Sequence, residues 1–411
     1  MARPFGQNGH ADICILQEKP LTLPFVRHLR LNMKLQMRIE DDTVDMPASA
    51  DDGMTTERMA DAINKDRVRG CLLGGAIGDA FGYPLEFIPA LQDIQKKYGE
   101  SGLTEYDLSY PWLDERFRFQ KALFSDDTQM TLYTAEGLLE AERRGVPFVQ
   151  SVCDAYLIWM GFQEGIAVER KYDSKLAGIE ELNQRRAPGR TCIDSLKAIR
   201  EGREAVNNSK GCGGVMRVAP VGIYGATHQW PLAKTASLAG EIAELTHSHP
   251  HSTYASAALA AIVQQCLCAD HVDRVVFKAI VAESLKTVGE LYGESDHFMN
   301  LFRKVIEESV RYAERDPGFW GTDGTMIEFC VGAGWVAEET LAIAVFSVLR
   351  YIDDFDACLV CAVNHGGDSD STGAVAGNII GAILGYDAMP QKFTVPLQLR
   401  SLMLDIADDM M

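Results

Sequence analysis

The chain has 411 residues, 36 of them glycine and 10 cysteine, and its 39 Lys and Arg against 58 Asp and Glu leave a formal charge of −19. That length supports a large buried core, and 47% hydrophobic with 24% charged residues is the composition of an ordered globular protein, so a disulfide-stapled miniprotein and a disordered chain are both excluded. The acidic balance argues against a nucleic-acid partner, because neutralising backbone phosphates needs clustered Lys and Arg.

In chain order, residues 1–53 read as an N-terminal extension and residues 54–411 as one domain. Arg3 is not followed by an apolar stretch, and Asp12 and Glu18 interrupt the start, so no secretory signal is expected. Leu29–Ile39 alternates apolar and polar residues without a break, which predicts a strand with one buried face and a polar face carrying Arg30, Lys34 and Arg38. The acidic stretch Glu40–Gly53, with Asp41, Asp42, Asp45, Asp51 and Asp52 around Pro47, reads as a linker. Beyond it the pattern becomes helical, as in Met130–Ala141, Ser252–Cys268, Phe298–Ala313 and Thr340–Tyr351. Repeated helical segments with almost no alternation predict an all-α fold. The glycines of Gly70–Gly78 and Ala374–Ala382 each cost a lone helix about 1 kcal/mol relative to Ala, so these two segments are expected to pack closely at the domain centre. Cys358 and Cys361 form a C-x-x-C pair, but their flanks read as a buried helix. The scattered cysteines favour free thiols in a reducing, cytoplasmic setting. Ala374–Tyr386 is too short and too glycine-broken for a membrane span, which needs about 20 apolar residues.

Two clusters carry chemistry: Ser125-Asp126-Asp127-Thr128 and Gly366–Thr372, which holds Asp368, Asp370 and Ser371. Each precedes an apolar helical segment, so helix capping is one reading of both. Capping explains the density of oxygen ligands poorly. Asp368 and Asp370 are two apart and would not share a face in a regular helix, but the backbone that two glycines permit lets both carboxylates turn to one point. Should the clusters meet, four aspartates would share a pocket, a burden that two hard divalent cations would neutralise, with Ser125 and Ser371 completing an oxygen set suited to Mg²⁺.

The run Gly70–Glu86 (GCLLGGAIGDAFGYPLE), Ser125–Met130, Gly213–Arg217 (GGVMR), Thr246–Pro250 (THSHP) and Asn364–Thr372 together resemble the ADP-ribosylglycohydrolase family of dinuclear-magnesium hydrolases, in the family's order and over roughly residues 66 to 390. The resemblance implies a compact helical fold with two Mg²⁺ ions in a cleft. The ions would be held by Ser125, Asp126 and Asp127 on one side and by Asp368, Asp370 and Ser371 on the other. It places Glu86 near the substrate, where the alternative is a surface or capping carboxylate. Gly213, Gly214, Met216 and Arg217 match the loop along the ribose and diphosphate. Cys212-Gly213-Gly214 departs from the Asn-Gly-Ser or Asn-Gly-Ala of many relatives. His247 would reach substrate or a nearby carboxylate, or else cap a helix. His249 and His251 are not assigned to metal, and His365 is expected to orient Asp368.

The implied reaction is hydrolysis of the N-glycosidic bond of ADP-ribosylated protein, with arginine the favoured linkage, through an oxocarbenium-like state in which Asp126, Asp127 and Glu86 are the catalytic candidates. The resemblance extends to bacterial immunity proteins, in which an N-terminal extension such as residues 1–53 occludes an ADP-ribosyltransferase toxin while the core reverses the modification. An inactive, toxin-binding relative and a housekeeping hydrolase with no toxin partner remain open alternatives, as does a two-metal phosphodiesterase.

Overall fold

A computed structural model describes residues 63–109 and 121–411; the alternating segment Leu29–Ile39, the acidic linker and the boundary at residue 53 lie outside them. The longer helices run in the order α1 (Lys65–Gly82), α2 (Leu91–Tyr98), α3 (Asp126–Arg144), α4 (Phe148–Glu164), α5 (Arg190–Arg200), α6 (Ala219–Thr227), α7 (Leu232–Glu244), α8 (Pro250–Cys268), α9 (Arg274–Tyr292), α10 (His297–Ala313), α11 (Ala337–Arg350), α12 (Phe355–Val363), α13 (Ser369–Leu384) and α14 (Arg400–Asp409), joined by turns, short 3₁₀ segments, single helical turns at Asp323–Met326 and Gln391–Thr394, and a π segment at Ile327–Val331. Among the described residues there is no strand, only the isolated bridges Ala122–Leu397 and Gly211–Val336. The all-α expectation therefore holds.

The centre is the pair α1 and α13. Asn64 starts α1 by accepting the Asp66 N–H on its side chain at 2.9 Å. From Gly70 to Gly82 every residue of α1 is buried, and α13 is buried from Ser369 to Ala382. A helix covered on every side needs neighbours on every side. The two run antiparallel, with Gly70 beside Gly381, Gly74 beside Gly377, Gly78 beside Gly373, and Gly82 beside Ser369. A methyl group at Gly74 would overlap the Gly377 carbonyl, so the backbones approach only because no side chain stands between them. Dispersion between the closely packed backbones offsets the low helix propensity of glycine. This antiparallel seam sets the C-terminal end of α1 against the N-terminal end of α13.

Around that pair, α3 packs on α4, and the Ala-rich α8 packs on α6, α7, α9 and α11. Gly145, at φ +63°, takes the left-handed conformation that ends α3. Cys358 and Cys361 are buried in α12 as free thiols, as their flanks predicted. No described helix is long and apolar enough to cross a membrane.

Candidate active site

The seam positions the site. Asp79 sits one turn before the end of α1, fully buried, and reaches across to the start of α3. Its Oδ1 accepts the Ser125 N–H at 2.8 Å, and its Oδ2 accepts the Thr128 N–H at 2.9 Å and the Thr128 hydroxyl at 2.5 Å. Ser125 is the N-cap of α3, its Oγ accepting the Asp127 N–H at 3.2 Å. The capping expectation is thus correct for Ser125. It fails at the second cluster, where Asp368 stands at the cap position of α13 but makes no side-chain capping bond. Gly367, at φ +142°, makes the bend there, and the Asp368 N–H donates to Ala333 O at 2.8 Å.

The two clusters meet. The Asp370 carboxylate interacts electrostatically both with Ser125 of the first cluster and with Asp368 of its own. The Ser371 N–H donates to Asp370 Oδ1 at 3.0 Å, and the Gly189 N–H donates to Asp126 Oδ2 at 3.0 Å. The N-termini of α3 and α13 therefore converge, and the positive ends of both dipoles face the carboxylates. That is too little to neutralise them. Burial first, and then neighbouring carboxylates, hold Asp127 and Asp368 well above the usual carboxylate range, and Asp126 is raised chiefly by burial. Burial and Asp370 push Asp79 up to about 7. Glu86, in the turn after α1, rises to about 11 through burial and the charges of Asp370, Asp368 and Asp126.

Among the described carboxylates of this pocket, three oxygens are buried without a hydrogen-bond partner: Asp127 Oδ2, Asp368 Oδ2 and Glu86 Oε2. Among the described residues no three His, Cys, Asp or Glu side chains already stand in metal-holding geometry. What fits a hard divalent cation is the chemistry of the donors: carboxylate oxygens left unsatisfied in a low-dielectric pocket, with the hydroxyl groups of Ser125 and Ser371 in the same clusters.

The sequence-predicted loop Gly213–Arg217 folds as a 3₁₀ segment behind this pocket, with all five residues buried. A methyl group at Gly213 would come within 2.7 Å of His247 Cε1, and one at Gly214 within 2.4 Å of Ser252 Oγ, so a side chain at either position would force its neighbour to move. Met216 is buried, its carbonyl accepting from Thr131 Oγ1 at 3.4 Å. Arg217 is fully buried and turned inward: its guanidinium donates to Thr246 Oγ1 at 2.7 Å and Ile242 O at 3.3 Å, and lies 4.5 Å from the Tyr156 ring centroid. It anchors the loop instead of lining the pocket.

His247 packs on this loop with Nδ1 2.9 Å from Thr246 Oγ1, and burial together with Arg217 lowers it to about 3. The helix-capping histidine is instead His249, whose Nδ1 accepts the His251 N–H at 3.1 Å at the start of α8. His365 Nε2 lies 2.9 Å from Thr372 Oγ1, and that hydroxyl bonds the Asp368 backbone carbonyl, so the link expected between His365 and the Asp368 carboxylate is not made directly.

Two site residues escaped the sequence reading. Asp79 lay inside a quoted motif without being singled out, although a lone carboxylate in an apolar Gly-Ala-Leu helix is a signal of buried polar work. Cys212, a departure from the family's pattern, is close enough to Asp368 and Ser371 to interact with both electrostatically, and its N–H donates to Trp335 O at 3.3 Å.

The model of the ADP-ribosylglycohydrolase family matches residues 60–411. The chain is 26% identical to the ADP-ribosyl-(dinitrogen reductase) glycohydrolase of Rhodospirillum rubrum, over 82% of this chain and 91% of the relative. It is 22% identical to the ADP-ribosylarginine hydrolase Tri1 of Serratia proteamaculans, over 88% and 86% of the two chains. A solved structure described as an ADP-ribosylglycohydrolase-related protein complex superposes with a TM-score of 0.58 at 26% identity, covering 84% of this chain and 97% of that one.

Proposed function

The chain belongs to the ADP-ribosylglycohydrolase family, and from that premise we propose that it is a Mg²⁺-dependent hydrolase that frees arginine side chains from ADP-ribose. The observation that carries this reading is the meeting of the two clusters through Ser125 and Asp370, beside the orphaned oxygens of Asp127 and Asp368. Ser125, Asp126, Asp127, Asp368, Asp370 and Ser371 would hold the cations, which supply charge neutralisation and an acidified water. Asp126, with Oδ2 tied to the Gly189 N–H, is fixed in orientation. Asp127, with Oδ2 free of protein partners, would take a proton from the attacking water. Buried carboxylates also stabilise the positive charge that develops on the ribose as its bond to nitrogen breaks. The ribose-linked guanidinium already carries a proton, so it leaves with the bonding pair as neutral guanidine and is reprotonated afterwards, whereas a serine oxygen would leave as an alkoxide unless a proton were delivered to it, which makes arginine the better leaving group.

The direct test incubates purified protein with arginine-linked and serine-linked ADP-ribosylated substrates, with Mg²⁺ or with excess chelator. Release of ADP-ribose from the arginine linkage that depends on Mg²⁺ is expected. Release of AMP would reveal a phosphodiesterase, and full activity in chelator would overturn the metal reading.

A finer reading concerns residues 1–53. The sequence pattern of this extension, an alternating segment followed by an acidic stretch, suits docking on the basic cleft of an ADP-ribosyltransferase toxin, so that the chain would give immunity by hydrolysis and by occlusion. Deleting residues 1–53 should then weaken toxin binding greatly while hydrolysis of a small ADP-ribosylated substrate stays nearly unchanged, and Asp370→Ala should do the reverse. Loss of both functions on deletion would defeat the occlusion idea.

A further inference from the structure

An exposed aromatic pair stands on two turns that help to build the acidic pocket. Phe87 is 72% exposed and Trp335 44% exposed, and their rings stack with centroids 6.4 Å apart at 27°. Exposing two large rings next to each other is unfavourable in water unless something covers them. Both rings come from segments that build the site. Phe87 follows Glu86 directly, in the turn whose Leu85 N–H donates to Gly82 O at 2.7 Å and whose Ile88 N–H donates to Leu85 O at 2.8 Å. Trp335 accepts the Cys212 N–H on its carbonyl at 3.3 Å, and two residues before it Ala333 accepts the Asp368 N–H at 2.8 Å.

The Trp335 segment is also held firmly. The Ala333 and Gly334 N–H groups donate to Glu339 Oε2 at 3.1 and 3.2 Å, and the Thr340 hydroxyl donates to Gly334 O at 2.7 Å. Gly334, at φ +79°, packs against the side chain of Thr372, two residues after Asp370. Two aromatic faces are thus presented on anchored turns beside a pocket crowded with carboxylates.

Resting on the arginine-hydrolase reading, we propose that Phe87 and Trp335 form a clamp for the guanidinium of the ADP-ribosylated arginine, so that this pair sets linkage specificity. A planar, delocalised cation is attracted to aromatic faces and stacks on them, and nearby acidic groups strengthen the preference for positive charge. A serine linkage offers neither a plane nor a charge to the pair.

The test compares wild type with Phe87→Ala, Trp335→Ala and Trp335→Phe on arginine-linked and serine-linked peptides. Both alanine variants should raise KM for the arginine-linked peptide about tenfold with kcat changed by less than about twofold, Trp335→Phe should recover most of the loss, and any serine-linked turnover should stay as in wild type. A second arm measures binding by calorimetry, using free ADP-ribose and an arginine-linked peptide whose ribose ring oxygen is replaced by CH₂ so that it resists cleavage. Wild type should bind the peptide more tightly than free ADP-ribose, and the alanine variants should erase that difference while binding free ADP-ribose normally. Wild-type KM and wild-type peptide affinity in both alanine variants would overturn the clamp. Failure of wild type to cleave the arginine linkage would overturn the hydrolase reading instead, and the binding arm would still decide the clamp.

Discussion

Asp127 and Asp368 each bury one carboxylate oxygen with no partner in the protein. An unsatisfied buried polar group costs about 1–3 kcal/mol, and more when charged, so the site is a local sacrifice of stability. Asp127→Asn should therefore act in opposite directions on two measurements. Turnover should fall on the order of 100-fold or more, because the side chain proposed to take the proton is gone. The melting temperature of the metal-free protein rises, because one charge leaves a crowd of carboxylates. A fall in both would mean that Asp127 serves folding. Glu86, raised to about 11 by burial and its acidic neighbours, lies beside the pocket and outside the two clusters. Glu86→Gln should lower kcat while leaving Mg²⁺ affinity close to wild type in a calorimetric titration. An equal loss of affinity would move Glu86 among the metal ligands.

The central helix pair depends on the missing side chains of its glycines. Gly74→Ala would force α1 away from α13 and should destabilise the protein by about 3 kcal/mol, the upper range for overpacking. Gly145→Ala provides the control: its surroundings are open and only the φ of +63° is unfavourable, so about 1 kcal/mol is expected. Urea unfolding of both variants compares the two effects. A second lock joins three elements, where Glu338 Oε1, in the first turn of α11, meets His251 Nδ1 of α8 at 2.9 Å and Lys210 Nζ at 2.5 Å. Burial pushes the Glu338 carboxyl up, but these partners outweigh it and hold it at about 2, below its ordinary 4.5. A carboxyl lowered in the folded state contributes stability that is fully present above pH 4.5 and is lost as the pH falls toward 2. Glu338→Gln should consequently destabilise the protein at pH 7 by about 1–3 kcal/mol and flatten the decline of stability between pH 4.5 and 2. An unchanged acid limb in the variant would show that this lock contributes nothing there.

At the scale of the molecule, folding itself gathers the acidic pocket, and a cation that binds only the folded state should return part of the cost. Mg²⁺ at a hundred times its Kd stabilises a single-site protein by about 2.7 kcal/mol, which should appear as a rise in melting temperature that chelator reverses. Asp370→Ala should abolish that rise while the far-UV circular dichroism remains helical. A Mg²⁺-induced rise that survives Asp370→Ala would place the cation elsewhere.

Helical periodicity and the two glycine-rich segments were enough, by themselves, to read an all-α domain with those segments at its centre, because apolar spacing and helix propensity are local properties. The ordered motifs also identified the acidic clusters and the family. Periodicity does not encode which way a side chain turns once its helix is packed, and here tertiary structure decided the rest. Arg217, in a motif that suggested substrate contact, spends its guanidinium on Thr246 and Ile242. Asp79, undistinguished in the sequence, ties α1 to the start of α3 because the close glycine seam brings the ends of α1 and α13 together there. The stacking of Phe87 on Trp335 is likewise visible only in the fold, since the two residues come from distant turns that meet at the pocket through long-range packing.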